Sequence, residues 1–400
     1  MSKKTKPDSD LQGITRLLTD ATIGVTELVE EMHHRVVHPP FLPSTPIQHL
    51  ISNIASFTYK NIKWSTRFIG GSLDKALGLL APMLGEIKTT DEREAVRAAL
   101  NGVVGDYLEE KENPLKITMQ FRYQAKTLSL DSKSLKAIYP NCTGKILLMV
   151  HGSSMNDIQW TRKGHNHGAA LAEELEMTPI YMHYNSGRHI STNGQNLNAL
   201  LEDLILAWPV AVEELVILAH SMGGLVTRSA VHYAQQAEQT WTQYLQKIVF
   251  LGTPHHGAPL ERAGSYLDTI LELIPYTKPF ARLGKIRSAG VTDLRYSNLT
   301  DEDWQDSDRF KIQKDNRQNI PLPENIECYS IAADNGKEAD TRPRFIGDGL
   351  VDVKSALGQH KNLAKDLHFN TENTWIAYET NHLDLLSNLE IYSRMKAWLA

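Results

Sequence analysis

Apolar residues change their spacing along this chain, and the change divides it into zones. From about residue 10 to residue 112 they recur at helical intervals, as in Leu11, Ile14, Leu17 and Leu18, then Ile23, Val25, Leu28, Val29 and Met32. The run His38-Pro39-Pro40-Phe41-Leu42-Pro43 stops the first helix, because proline has no N–H to donate and disfavours helix before it. A second helical stretch is expected over about 46–83, broken at Gly70-Gly71. A third is expected over about 90–111, opened by Asp91 and Glu92, whose charges suit a helix N-terminus. Residues 1–112 therefore read as a helical N-terminal extension.

Past residue 113 strand and helix signals alternate, the mark of a parallel sheet. Strands are expected at 117–123, at 145–150 (KILLMV), and at 178–183, 215–219, 247–252, 326–332 and 374–378. The near-continuous apolar runs among them suit strands covered on both faces. Helices are expected at about 195–207 and 225–238. A last one over about 383–399 carries the stripe Leu385, Leu386, Leu389, Tyr392, Met395 and Trp398. The prediction for 113–400 is an α/β domain with a mostly parallel central sheet and helices on both faces. More than seventy residues of irregular pattern separate the strands at 247–252 and 326–332. Segments that long inside a compact domain serve as lids or insertions, so about 258–324 is expected to form a cap. Its apolar set, Tyr266, Leu267, Ile270, Leu271, Leu273, Ile274, Pro275, Phe280 and Leu283, suits either an acyl chain or a core of its own.

Composition narrows the classes without choosing one. With 41% hydrophobic and 22% charged residues, the 400-residue chain has the balance of a globular protein. A formal net charge of −5 with no basic block beyond Lys3, Lys4 and Lys6 argues against a nucleic-acid partner. Cys142 and Cys328 read as free thiols of a reducing compartment. Pro7-Asp8-Ser9-Asp10 stands where a secretory leader would need apolar residues. The stretch 62–84 is interrupted by Lys63, Arg67, Asp74 and Lys75, too many charges for a membrane span. A cytoplasmic protein is expected. The N-terminal helices could pack on the rest of the chain, form a homodimer or lie on a membrane surface.

The strongest chemical signal is Val216-Ile217-Leu218-Ala219-His220-Ser221-Met222-Gly223-Gly224. A buried strand runs straight into a small-x-Ser-x-Gly pentapeptide with a helix behind it, the context of a strained turn that lifts a nucleophilic hydroxyl clear of a sheet edge. A serine needs a base and an acid to become nucleophilic, and after such an elbow they follow in the order acid, then histidine. His382, in a short loop between a strand and the final helix, is the expected base among 16 histidines. Asp348, between Gly347 and Gly349, is the leading acid, with Asp334 and Asp352 as alternatives. The oxyanion needs two preorganised donors. Met222 N–H, just after the serine, is one. Ser153 N–H, in the loop His151-Gly152-Ser153-Ser154 after the KILLMV strand, is the expected other.

These motifs resemble the true bacterial lipases and esterases of the α/β-hydrolase superfamily. His151-Gly152 matches their oxyanion strand end, and Ala219-His220-Ser221-Met222-Gly223 matches an elbow with leading alanine found in one branch. Gly252-Thr253-Pro254-His255-His256-Gly257 is similar to a conserved lipase segment after the next strand. The run from Gly347 to Val351, with Ser355-Ala356-Leu357 behind it, resembles the family's acid loop and favours Asp348. Asn381-His382-Leu383-Asp384 looks like the histidine loop. The resemblance spans about 145–400 and implies an α/β-hydrolase fold and hydrolysis of carboxylic esters, with an ester or lipid as substrate. Some of those lipases hold a calcium ion through an aspartate placed like Asp384. No second aspartate is identifiable, and Asp384 reads as a helix-start residue. No cofactor or metal is expected. His33-His34 reads as a solvated helix face, and the backbone turn at His255-His256 matters more than either ring. Thioester, polyester or acyl-transfer chemistry could use the same triad, and a non-catalytic hydrolase-fold binding protein is the reading of another class.

Overall fold

A computed structural model describes residues 90–258, 261, 269–271, 287–306, 308–309, 315–338 and 347–400. The helices expected before residue 90, the His33-His34 pair, the basic start and most of the cap's apolar set lie outside these residues. Ile270 and Leu271, from that set, are buried.

Eight strands form one sheet in the order β2-β1-β4-β3-β5-β6-β7-β8. They are β1 (Gln120–Tyr123), β2 (Lys126–Thr127), β3 (Lys145–Val150), β4 (Thr178–His183), β5 (Glu214–His220), β6 (Leu245–Leu251), β7 (Glu327–Asp334) and β8 (Thr374–Tyr378). β1 runs antiparallel to β2 and β4, and every pairing from β4 to β8 is parallel. This is the mostly parallel sheet of the α/β-hydrolase fold. The middle strands are buried along almost their whole length, which is why β3 and β5 read as unbroken apolar runs.

Helices cover both faces, because right-handed crossovers reverse side when the chain reverses its direction across the sheet. The chain turns back after β4. α3 (His167–Glu174), which precedes β4, therefore lies opposite α4 (Ile190–Ala207) and α5 (Met222–Gln236), which pack on each other. α8 (Leu389–Leu399) joins α3 on its side, with Lys396 paired to Glu174 and Tyr392 against His165 and His167. The remaining helices are α1 (Thr90–Glu110), α2 (Ser132–Ile138), α6 (Ala289–Asp293) and α7 (Val353–Ala356). None of the described helices is long and apolar enough to cross a membrane.

The chain divides into two compact units: Met1–Arg93 with Lys111–Leu115, and Glu94–Glu110 with Lys116–Ala400. Within the second unit, 94–110 is tightly fitted. Asn185 Nδ2 donates to Gly105 O (2.8 Å), and Ser288 Oγ donates to Gly102 O (2.6 Å). A Cβ on Gly102 would lie 2.0 Å from Ser154 Oγ, so only glycine permits this approach.

Two expected helices differ at their ends. α4 starts at Ile190 rather than 195, with a polar first turn that conceals its onset. The final helix is interrupted: a 3₁₀ turn at Asp384–Leu386 precedes α8, and Asn388 caps α8 by accepting from Glu390 N.

Candidate active site

Parallel register brings the ends of the central strands level. Ala219 of β5 pairs with Val150 of β3 and Phe250 of β6, and Asp334 of β7 pairs with Tyr378 of β8. The loops that follow these strands meet at the carboxyl edge of the sheet, where open α/β folds bind ligands. Of the five residues expected to act in catalysis, Ser221, Asp348, His382 and Ser153 lie in these loops and Met222 opens the helix after one of them, and all five are buried.

Ser221 sits between β5 and α5 with φ 54° and ψ −125°. A side-chain-bearing residue held there costs of order 1–3 kcal/mol, so the surroundings must over-determine it. Ser221 N donates to Leu251 O (2.8 Å), and Gly224 N donates to Ser221 O (3.0 Å). A Cβ on Gly223 would stand 2.4 Å from Val150 O, and one on Gly224 would stand 2.0 Å from Thr253 Oγ1. The helix start is wedged between the ends of β3 and β6, which explains the small residues after the serine.

His382 lies in a loop tightened by Asn381, whose Oδ1 accepts from both Leu383 N and Asp384 N. His382 Nδ1 donates to Asp348 Oδ2 at 2.6 Å, and His382 N donates to Asp348 O at 3.0 Å. The other oxygen, Asp348 Oδ1, accepts from Leu350 N and Val351 N at 2.9 and 2.8 Å. These backbone donors require a tight turn, made by Gly349 at φ 99°. His382 Nε2 is buried and has no hydrogen-bond partner. Asp334 and Asp352 are engaged elsewhere: Asp334 Oδ1 accepts from Gly336 N (2.8 Å), and Asp352 caps α7 by accepting from Lys354 N (2.9 Å). Of the three acid candidates, Asp348 is the one hydrogen-bonded to His382.

His220, the residue before the serine, was not among the sequence candidates. Its Nε2 donates to His382 O at 3.1 Å, and its ring centroid lies 4.8 Å from that of His382. The base loop is thereby held beside the elbow. Gly252, at φ 58°, makes room for the pair: a Cβ there would lie 3.3 Å from both Asp348 Oδ2 and His382 Cε1.

On the β3 side, His151 Nδ1 donates to Gly152 O (2.8 Å), and Tyr184 stacks on the His151 ring at 4.4 Å while its hydroxyl donates to His151 O. Burial pushes the His151 imidazole down to about 3, so it stays neutral. In a trans peptide the C=O and the next N–H point in opposite directions. By gripping Gly152 O, His151 therefore fixes the direction of Ser153 N–H. Gly152 itself is close to the serine, since a Cβ on it would fall 3.0 Å from Ser221 Cβ. Met222 N–H opens α5 and has no carbonyl one turn back within the helix.

The same loop ends in a buried ionic cluster. Asp157 Oδ1 lies 3.1 Å from Arg122 Nη1 and 3.2 Å from His183 Nδ1, and Arg122 Nη1 also binds Glu94 Oε2 at 2.7 Å. Burial alone would raise the Asp157 carboxyl, but the His183 ring and the Arg122 guanidinium outweigh it and hold it below its ordinary range.

The turn at His255-His256 is built in through side chains as well as backbone. His256 N donates to Ser355 Oγ (3.1 Å), His256 Nε2 donates to Gly358 O (2.8 Å), and Arg317 Nη2 donates to His256 Nδ1 (2.8 Å). Burial, with Arg317 adding to it, pushes His256 down to about 4. Asp384 begins the 3₁₀ turn and pairs with Lys163 at 2.7 Å. Among the described residues no group of three or more His, Cys, Asp or Glu is arranged to hold a metal ion. Cys142 and Cys328 are both free.

A family model described as a domain of unknown function (DUF7379) matches residues 114–292. No curated protein matches the chain. Solved structures similar to it include the mature lipase BlEst2 of Bacillus licheniformis, at 17% identity over 64% of this chain and 92% of that one, with a TM-score of 0.42. The esterase Pf2001 of Pyrococcus furiosus is similar at 14% identity over 64% and 81%, TM-score 0.38. The phospholipase PlaB of Legionella pneumophila is similar at 13% identity over 53% and 45%, TM-score 0.36.

Proposed function

We propose that this chain hydrolyses carboxylic esters through an acyl-enzyme on Ser221. The observation that carries the reading is the pairing of a strained serine elbow with a buried His382–Asp348 pair fastened to it through His220. In the first step Ser221 Oγ attacks the ester carbonyl carbon while its proton passes to His382 Nε2. Asp348 keeps the imidazole in the Nδ1–H tautomer and stabilises the imidazolium. The N–H groups of Ser153 and Met222 receive the oxyanion. Collapse of the tetrahedral intermediate breaks the bond to the alcohol, which leaves with the proton from His382. Water, deprotonated by His382, then attacks the acyl-serine and releases the acid.

Whether the enzyme prefers short esters or lipids is decided by the acyl-chain series it turns over, and an acyltransferase would reveal itself by ester products with added alcohols. The central test is covalent capture. A fluorophosphonate should modify Ser221 and no other residue, as read by peptide mass spectrometry, and Ser221→Ala should fold normally while losing several orders of magnitude in turnover of p-nitrophenyl esters. Retained hydrolysis in that variant would refute the assignment.

A further inference from the structure

We propose that His220 is a positioning residue: its ring fixes the base loop to the nucleophile elbow and so sets the separation between Ser221 and His382. The proposal rests on the reading of Ser221 and His382 given above.

His220 is the last residue of β5, a strand paired on both sides, and one peptide bond separates it from Ser221. Its position is therefore set by the sheet. His382 has no such footing, since it lies in the loop after β8 and its N–H and ring both lean on Asp348, itself in a loop. The hydrogen bond from His220 Nε2 to His382 O holds the opposite side of the base to the rigid strand. Hydrogen bonding to a carbonyl requires the N–H at Nε2, which leaves Nδ1 with a lone pair. That nitrogen is buried without a partner and faces the oxyanion loop, where a Cβ on Gly152 would stand 3.0 Å from it. One ring thus touches the base loop and the oxyanion loop while sharing a backbone with the nucleophile. The His220 ring is fully buried, and burial first, then the adjacent His382, holds it well below the ordinary histidine range. It stays neutral, so it neither repels the imidazolium that forms on His382 nor changes its donor with pH.

A role in placement differs from a role in packing by what restores it. His220→Leu keeps the volume and loses the donor, whereas His220→Gln keeps an N–H of similar reach. His220→Leu should lower kcat about 10- to 100-fold, the range seen when a supporting partner is lost or a reacting group shifts by about 1 Å. KM should stay within about two-fold, because the His220 ring is fully buried, and His220→Gln should recover most of the loss at an equal melting temperature. The idea is overturned if His220→Leu turns over within two-fold of the parent, or if His220→Gln is no better than His220→Leu at matched stability. Should His220→Leu fail to fold, His220→Asn, whose amide is one carbon shorter, replaces it as the contrast to His220→Gln. Ser221→Ala in the same assay separates the two hypotheses: if it is inactive while the His220 variants are normal, the triad stands and the positioning role falls.

Discussion

Two buried histidine–aspartate pairs lie close to the same sheet edge, and they are built differently. In the His382–Asp348 pair His382 Nδ1 meets Asp348 Oδ2 at 2.6 Å, and the carboxylate is steadied by two backbone N–H groups. Among the described residues it pairs with no guanidinium or ammonium. In the His183–Asp157 pair the contact is 3.2 Å, and Arg122 lies 3.1 Å from the same oxygen of Asp157. Backbone dipoles fix a carboxylate without cancelling its charge, so Asp348 is left to stabilise a developing imidazolium. A guanidinium has already taken up the charge of Asp157, and it also repels a proton on His183, whose value burial lowers first. The lesson is that a histidine beside an aspartate becomes a base through what else surrounds the carboxylate. On the proposed function one pair moves a proton, while the other braces the loop that carries Ser153.

The comparison breaks most visibly in turnover. Asp348→Asn should reduce kcat/KM by about 10⁴ with little change in stability, on the precedent of a triad aspartate replaced by its amide. Asp157→Asn, Asp334→Asn and Asp352→Asn should stay far closer to the parent, because none of these carboxylates bonds His382. Ester kinetics on the four variants checks this, and a near-normal Asp348→Asn would move the acid elsewhere.

The second pair should show itself in stability. Arg122→Met strips the cation from a buried carboxylate, Asp157, and from the partly buried Glu94. Breaking a buried ionic cluster on one side costs about 3–5 kcal/mol, which a urea-denaturation midpoint would report. The folded fraction should retain far more turnover than Asp348→Asn. The division of labour fails if Arg122→Met proves as stable as the parent.

Much of this layout is legible in the sequence where the information is local. The strands at 145–150 and 178–183 appear at the expected residues because strands buried along nearly their whole length must be apolar almost throughout, and the half-buried edge strand at 374–378 also appears where expected. The elbow is legible because strand, Ser221 and the glycines are contiguous. Asp348 stands out through its flanking glycines, one of which takes a positive φ. Distant partnerships leave no such trace. The His220–His382 bond spans 162 positions and the Arg122–Asp157 contact spans 35, and neither residue type at either end announces the other. α5 starts at Met222 rather than about 225: Gly223 and Gly224 are weak helix formers, and they stand in its first turn because their neighbours leave no room for a side chain.

The smallest expected effect concerns protons taken up in unfolding, and it separates buried histidines from the carboxylates of the bracing cluster. His151 and His167, lowered mainly by burial to about 3 and about 4, and His183, lowered in the same direction, are neutral when folded. In the unfolded chain a histidine titrates near 6.5. Below that value the unfolded state binds protons that the folded state refuses, so stability falls as the pH drops, with a slope approaching about 1.4 kcal/mol per pH unit for each ring. The carboxylates act in a lower window. Asp157 and Glu94 sit below their ordinary values because the neighbouring charges, Arg122 above all for Glu94, outweigh their burial. Their contribution is complete above the unfolded value, about 4, and is lost as the pH falls through the folded one. Melting temperatures should therefore decline from pH 7 toward pH 4 and decline again below it. In Arg122→Met the first decline should persist while the second weakens, since the cation that holds the carboxylates ionised is gone. A melting temperature that is flat between pH 7 and pH 5 would show that the buried rings accept protons in place, and the contrast between bracing and proton-moving histidines would lose its physical basis.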